Sequence, residues 1–405
     1  MEPSHDRLQP GEAKPIKDQR IWTREFVLVA LTNLAAFIGF NMTTTGMPVY
    51  VATLGGSDFA VGLVTTLATG AALLVRPFAG IMLDRFGRKG ILIVGGLIMA
   101  ITTASYAVFP VVGFILALRA VQGIGWGLGS TATSTIAADA IPRGRFAEGM
   151  GYFALTSSVA VAIAPALSVF LVQSAGALPM IVLASVASLL VVALACAQKL
   201  PKAVGRAGGK RLGASDFFDK RALLPAGAMF LINVAFASVT TFIVLFGQER
   251  GVDDVFLYFI VYALVTILTR PIIGKLIDRV GFFVPGLVST AGVAATMIVI
   301  SLSDTVVMFC IAGVFAGLGI GAGMGTLQAM AVAAVPSGRR GVATSTFLFG
   351  VDAGIAVGAL IAGGFAGLLG YAGMYSAMAV FPAAAFLLFA IVGRKRISRY
   401  SSDDR

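Results

Sequence analysis

Charged residues are scarce in this chain. They make up 12% of 405 residues, against about a quarter in a soluble domain, while 58% are hydrophobic, so the solvent of most of this chain is lipid. Histidine is nearly absent. The single copy, His5, lies in the N-terminal tail, which removes histidine catalysis and zinc ligation from the core. Cys196 and Cys310 each fall in an apolar stretch, which argues against a disulfide framework and leaves packing as their role. With no metal-ligating cluster and no Walker-type phosphate loop, neither a metal site, a bound cofactor nor nucleotide hydrolysis is expected. The tail 1–24 mixes both charge signs and has no apolar centre, so it does not read as a cleavable signal peptide. Asn41-Met42-Thr43 matches a glycosylation sequon but lies inside an apolar stretch, where the match is chance.

What is abundant is apolar length. Hydropathy and breakers give twelve stretches, near 25–51, 60–82, 90–109, 111–137, 147–172, 177–198, 222–248, 255–277, 282–302, 305–332, 342–368 and 371–393. At about 1.5 Å per residue each crosses roughly 30 Å of hydrocarbon as a helix. The 49 glycines, many in the fourth and tenth spans, fit close helix packing in a bilayer. Lys and Arg fall on one side. The turns at 52–59, 110, 173–177, 249–254, 303–304 and 369–371 hold one basic residue, Arg250. The other turns hold Arg85, Arg88, Lys89, Arg143, Arg145, Arg279, Arg339 and Arg340, together with both tails and the basic segment 199–221. Basic loops stay cytoplasmic, which places both termini inside. The net charge of +11 is then a topology signal, and no nucleic-acid partner is expected. The domain reading is a cytoplasmic tail (1–24), a six-helix bundle (25–199), a cytoplasmic linker (200–221) with room for a short interfacial helix, a second bundle (222–393) and a cytoplasmic tail (394–405).

A charged run repeats. Arg76-Pro77-Phe78-Ala79-Gly80-Ile81-Met82-Leu83-Asp84-Arg85-Phe86-Gly87-Arg88-Lys89 returns 194 residues later as Arg270-Pro271-Ile272-Ile273-Gly274-Lys275-Leu276-Ile277-Asp278-Arg279-Val280-Gly281. A motif that recurs half a chain later means two homologous halves about a pseudo-symmetry axis, with a transport path near that axis.

Gly80-x-x-x-Asp84-Arg85-x-Gly87-Arg88-Lys89 resembles the signature loop between the second and third helices of the major facilitator superfamily. Leu116-Ala117-Leu118-Arg119-Ala120-Val121-Gln122-Gly123-Ile124-Gly125 resembles that superfamily's fourth-helix motif, common in proton-coupled members. The resemblance implies an all-α integral membrane protein with twelve transmembrane helices in two pseudo-symmetric six-helix halves. It further implies a conformational latch of Gly80, Asp84, Arg85, Gly87 and Arg88. There Asp84 faces the N-terminus of the eleventh helix, whose partial positive charge is worth roughly 0.3–2 kcal/mol to an anion. Arg88 pairs with Asp139 at the end of the fourth helix. The second copy keeps Gly274, Asp278 and Arg279 but has Phe282 and Phe283 in place of the distal basic residues, so its latch should be weaker; the alternative is that these charges only mark topology.

Inside the membrane, Asp352 lies about ten residues into the eleventh span, roughly 15 Å deep, and is the acid at the midplane. With no histidine in the core it is the expected proton-coupling residue, with Arg119 beside it in that role. Arg76 and Arg270 are symmetry mates. The resemblance implies that the second helix packs on the eleventh and the eighth on the fifth, and Arg76 differs from Asp352 in depth by about 5–6 Å, so an interdomain ion pair is expected. The position matching Asp352 is Ser158, so Arg270 is expected to meet the substrate. Snorkelling is the competing reading for both arginines, and a structural tie to the first span for Arg119.

In this superfamily the first and fourth helices of each half line the cavity. Candidate walls are therefore Asn33, Phe37, Phe40 and Thr44; Arg119, Gln122 and Trp126; Asn233 and Thr240; and Arg270 and Gln328, with ordinary helix packing as the alternative. Three deep arginines against one deep aspartate favour an anionic, zwitterionic or neutral amphiphilic solute over a lipophilic cation. Exporter relatives carry a glycine-rich motif around Gly-Pro in the fifth helix, and here Ala160-Val161-Ala162-Ile163-Ala164-Pro165-Ala166 keeps only the proline.

The expected protein is a monomeric, multi-pass plasma-membrane transporter whose partners are the bilayer, protons and a small solute. Proton-coupled efflux by alternating access is expected. Alternatives are an uptake symporter and a multidrug exporter, while a channel or membrane enzyme fits poorly. Asp84→Asn should leave abundance near normal yet sharply lower transport, and Asp278→Asn should be milder. Equally small losses of transport in the two variants would refute a latch.

Overall fold

The computed structural model describes residues 21–142, 145–199, 218–336 and 339–393, nearly all of them helical. The first half comprises α1 (Arg24–Thr53), α2 (Asp58–Phe86), α3 (Arg88–Val108), α4 (Val112–Ala140), α5 (Phe146–Ala175) and α6 (Ala177–Ala197). A 3-10 turn at Lys220–Ala222 leads into α7 (Leu223–Glu249), α8 (Phe256–Val280), α9 (Phe283–Ser301), α10 (Val306–Ala333), α11 (Arg340–Met378) and α12 (Val380–Leu388), which ends in a π turn at Phe389–Gly393. Among the described residues ten helical segments are long and apolar enough to cross a membrane, with the apolar part of α8, Phe256–Arg270, beside them. One of the ten, Val342–Ile391, runs 50 residues but breaks at Gly370 (φ 67°, ψ 172°), so it crosses twice. The result is twelve crossings. The expected tails 1–20 and 394–405 and most of the linker, 200–217, lie outside the described residues, as does the interfacial helix expected there.

Backbone conformation carries the repeat as clearly as the charged motif does. All positive-φ residues among those described are glycines: Gly55, Gly87, Gly176, Gly251, Gly281 and Gly370. Gly87 and Gly281 lie 194 positions apart, as do Gly176 and Gly370, and Gly55 precedes Gly251 by 196. A left-handed φ opposes a Cβ, so these three turns fix a glycine in both copies. The loops between α4 and α5 and between α10 and α11 repeat as well. Arg145 N–H donates to Pro142 O at 3.0 Å, and Arg339 N–H to Pro336 O at 2.9 Å, again 194 positions on.

Packing follows the same symmetry. In the first half α2 and α3 pack on α4, and α1 on α5 and α6; in the second α8 and α9 pack on α10, and α7 on α11 and α12. The halves meet where α2 lies on α11 and α5 on α8, with a smaller contact of α1 with α7. Glycine decides how closely some of these helices approach, since lipid tails offer helices no hydrophobic drive to associate. Gly350, Gly354 and Gly358 form a stripe on α11 against the carbonyls of Ala226, Phe230 and Val234 on α7; a Cβ at Gly354 would stand 2.5 Å from Phe230 O. Across the halves, a Cβ at Gly62 would stand 2.5 Å from Ala359 O and 3.1 Å from the Cα of Gly363.

Both glycine contacts are too tight for a larger side chain, but they join different bodies. Gly354→Leu overpacks one half and should lower its thermal stability by about 1–3 kcal/mol. Gly62→Leu should instead separate the halves at that end while each half stays folded, read as a longer distance between spin labels on the α1–α2 and α11–α12 turns. An unchanged distance in Gly62→Leu would refute the role given to that contact.

Candidate functional site

Among the described residues one ion pair crosses the seam between the halves. Arg76 Nε on α2 lies 2.8 Å from Asp352 Oδ2 on α11, with side-chain exposures of 26% and 15%. The N–H does not align with the oxygen, so the contact is an ion pair rather than a well-directed hydrogen bond. Arg76 follows seventeen apolar or small polar residues of α2 and precedes Pro77, which withdraws one backbone donor from the helix there. At the mating seam Arg270 Nη1 on α8 donates to Ser158 Oγ on α5. Ser158 stands where the other copy has Asp352. Arg270 has no carboxylate partner among the described residues.

Arg119 is fully buried and held inside the first half. Nε donates to Val64 O at 2.9 Å, Nη1 to Thr43 Oγ1 at 3.1 Å and to Gln122 Oε1 at 2.7 Å, and Nη2 to Thr44 Oγ1 at 3.4 Å. Gln122 Nε2 donates to Thr103 Oγ1 at 2.8 Å, and Tyr106 OH donates to Gln122 Oε1 at 2.9 Å. The guanidinium also sits 5.8 Å over the ring of Phe40, which stacks on Trp126 at 4.3 Å, while Phe37 meets Trp126 edge-on at 4.7 Å. Arg119 thereby ties α1, α2 and α4 together, and Gln122 extends the network to α3. The position 194 residues on is Gly313, packed against Tyr258, so the second half has no such clamp.

The remaining wall candidates separate into tied and open groups. Asn33 Nδ2 donates to Thr156 Oγ1 at 2.9 Å and Ser157 Oγ at 2.8 Å and its Oδ1 accepts from Thr133, joining α1, α4 and α5. Asn233 donates to Met229 O and Thr240 to Ala237 O, each within its own helix. Gln328 is half-buried on α10. Asp352, Arg119 and Asn33 lie in three separate clusters, so no contact joins Arg119 to the expected coupling acid.

At the arginine-rich end the described polar contacts join elements of one half. Arg88 pairs with Asp139. Lys89 Nζ donates to the carbonyls of Cys196 and Gln198 at 2.7 and 2.8 Å, and Arg145 pairs with Glu148. Arg339 Nε lies 2.7 Å from Asp219 Oδ2. The backbone N–H of Arg221, then the Arg339 guanidinium, hold the Asp219 carboxyl below the usual carboxylate range, so this tie stays ionised at neutral pH. Arg85 lies over Phe86, and Arg279 is exposed. The side chains of Asp84 and Asp278 and the surroundings of Gly274 lie outside the description. A Cβ at Gly80 would meet nothing within 4 Å, so no helix is packed against it. At the opposite end the halves are tied: Tyr371 OH donates to Asp58 Oδ1 at 2.8 Å, Thr66 to Ala356 O at 2.9 Å, and Thr65 and Thr241 meet at 3.1 Å. Sequence reasoning missed Asp58 and Tyr371 because both sit at helix ends, where a polar residue reads as solvated.

Two symmetry-related six-helix halves thus meet along α2–α11 and α5–α8, with an ion pair across the first seam. The family model of the Major Facilitator Superfamily matches residues 29–306, and the chain belongs to that superfamily. It is a transporter family, not an enzyme family. The MFS-type transporter YhhS of Escherichia coli K12 is 25% identical over 374 residues, covering 89% of this chain and 91% of that protein. The staphylopine export protein of Staphylococcus aureus Mu50 is 22% identical over 363 residues, covering 86% and 91%. The nucleoside transporter NupG superposes with a TM-score of 0.75 at 14% identity, covering 91% and 99%. A bacterial homolog of the human lysosomal transporter Spinster, solved inward-facing and unoccupied, gives 0.73 at 17%, covering 96% and 99%.

Breaking a buried pair from one side costs about 3–5 kcal/mol because the survivor is left uncompensated. Arg76→Ala should lower thermal stability by the upper part of what a single substitution does, and Arg76→Ala with Asp352→Ala should recover part of it. Additive losses in the double variant would show that the two groups are not coupled.

Proposed function

We propose that this protein is a secondary active transporter that works by alternating access and exports a small organic solute in exchange for protons. The observation that carries this reading is the Arg76–Asp352 pair across the α2–α11 seam. The pair lies at the inner limit of the described contacts that close the arginine-poor end. A proton on Asp352 cancels the carboxylate charge and releases Arg76 from it, so proton binding and the separation of the halves become one linked equilibrium. If the arginine-rich end is cytoplasmic, as basic loops favour, the state described opens inward. Likeness to bacterial transporters supports a plasma-membrane location.

Export is supported by likeness to the staphylopine exporter, and the solute class by charge. Arg270 and Arg119 lie in the span region without a carboxylate partner among the described residues, and a buried positive field attracts anionic or zwitterionic cargo more than a lipophilic cation. One chain holds both halves and both seams, so a monomer suffices.

Asp352→Asn should abolish transport against a gradient while sparing solute binding. An untargeted comparison of metabolites inside and outside deletion, wild-type-overexpressing and Asp352→Asn-overexpressing cells, with and without a protonophore, measures this. The exported solute should accumulate in deletion cells and in the Asn variant. A solute that is instead depleted in deletion cells would reverse the direction to uptake. Gradient-driven movement by the Asn variant would move coupling to Asp139 or Glu148.

A further inference from the structure

The two seams differ in one more respect. On α2–α11 the contact is Gly62 against Gly363, and 194 positions after Gly62 stands Phe256 on α8. Phe256 meets Phe170 of α5 with ring centroids 5.7 Å apart. Aromatic bulk thus stands where glycine lets the other pair of helices close. Behind it a cavity of about 420 Å³ opens between α5 and α8, lined by Ala162, Ala166, Phe170, Ile260, Ala263 and Ile267 among other apolar residues. Ile163, Phe170, Leu264 and Ile267 are each about half exposed, so the crevice opens sideways toward lipid.

The Arg270–Ser158 contact bridges the same two helices one turn further inward than the residues that line the cavity. Arg270 follows Ile267 by three residues, about 4.5 Å along α8, and Ser158 precedes Ala162 by one turn of α5. At about 100° per residue, Ala263, Ile267 and Arg270 fall within roughly a 60° arc of α8. An apolar slot ending in a guanidinium without a carboxylate, beside one serine hydroxyl, is complementary to one chemistry: a single apolar chain carrying an anionic head. Arg270 lies ten residues from the end of α8, roughly 15 Å of helix. A bilayer lipid keeps its head at the interface, so an anion at this depth is one in transit.

We infer that the α5–α8 crevice is a lateral binding site for a single-chain anionic amphiphile, with its carboxylate or similar head on Arg270 and Ser158 and its chain along Ala166, Ala263 and Ile267. This rests on the transport reading, since it names the cargo class. The site takes cargo from the membrane, and α5–α8 is the seam through which it enters.

The test uses the full chain in phosphatidylcholine nanodiscs, with palmitate carrying a diazirine on its chain as the probe and peptide mass spectrometry as the readout. Saturable labelling should map to residues 162–170 and 256–267, be competed by palmitate but not by methyl palmitate or inorganic phosphate, and weaken at least tenfold in Arg270→Ala. Arg270→Lys should retain most of it, which also shows that the position tolerates change. Ala263→Trp, which fills the slot but keeps the charge, should lose it. Equal labelling of Arg270→Ala, or equal competition by the ester, means a lipid tail without head recognition and overturns the inference. Absent saturable labelling with Asp352-dependent export intact overturns the inference alone. Labelling as described with no Asp352 dependence of export supports this site and refutes the proton-coupled reading instead.

Discussion

A carboxylate in the middle of a bilayer costs about 2.5–3.5 kcal/mol on insertion scales, and an arginine at that depth costs a similar amount. Asp352 and Arg76 offset each other only while α2 and α11 are in register, because each residue belongs to a different half. Any motion that parts the halves along this seam must expose both charges to water, give the carboxylate a proton, or find each a new partner. The pair therefore ties the energetics of charge burial to the relative position of two otherwise self-sufficient bundles. The helices around it are built to permit this. Gly62 and Gly363 bring the backbones close without interlocking side chains, so the contact can be made and broken without repacking a core.

Arg119 shows the opposite use of the same residue type. Its donors go to the carbonyl of Val64, two threonines and a glutamine, all within the first half. Hydrogen bonds to neutral groups satisfy the guanidinium without cancelling its charge, which suits a fixed clamp and leaves the region positive. The second half has Tyr258 against Gly313 at the matching position, and there Tyr258 also packs on Phe259 and Tyr262, so aromatic contact stands where the first half has its polar network. At this position one half is pinned by a polar network and the other by aromatic packing, although both carry the same pattern of turns.

The twelve crossings, the repeat and the level of the deep charges are legible in the sequence because each depends on short-range pattern: apolar length, a glycine at a left-handed turn, a proline after an arginine. The depth estimate that sets Arg76 near the level of Asp352 uses only the helical rise, while the packing of their two helices on each other comes from the superfamily resemblance. Partners of buried polar residues are less legible. Asn33 and Thr44 carry the helical spacing of a cavity wall, yet Asn33 is engaged by Thr133, Thr156 and Ser157 and Thr44 by Arg119. Periodicity identifies a face but not whether that face meets water or a neighbouring helix. The Asp58–Tyr371 contact is illegible for a different reason: it joins two helix ends 313 residues apart that only the packing of the halves brings together.

Duplication gave the two seams the same starting geometry, so their differences record divergence of role. At one seam the arginine keeps an aspartate, glycines draw the backbones together, and the arginine's charge is neutralised at short range. At the other the aspartate's place is taken by Ser158, the glycine's by Phe256, and a lateral opening appears. Losing the acid and losing the tight glycine contact act in the same direction. A guanidinium without its carboxylate favours an incoming anion, and helices held apart by aromatic rings leave that anion a route. A seam cannot serve both purposes well, because a charge satisfied by the protein in every state has little left to offer a ligand, and a charge reserved for a ligand cannot hold the halves together in its absence. In the proposed transport cycle proton coupling falls to α2–α11 and cargo recognition to α5–α8, and the asymmetry between the copies would let one fold link them.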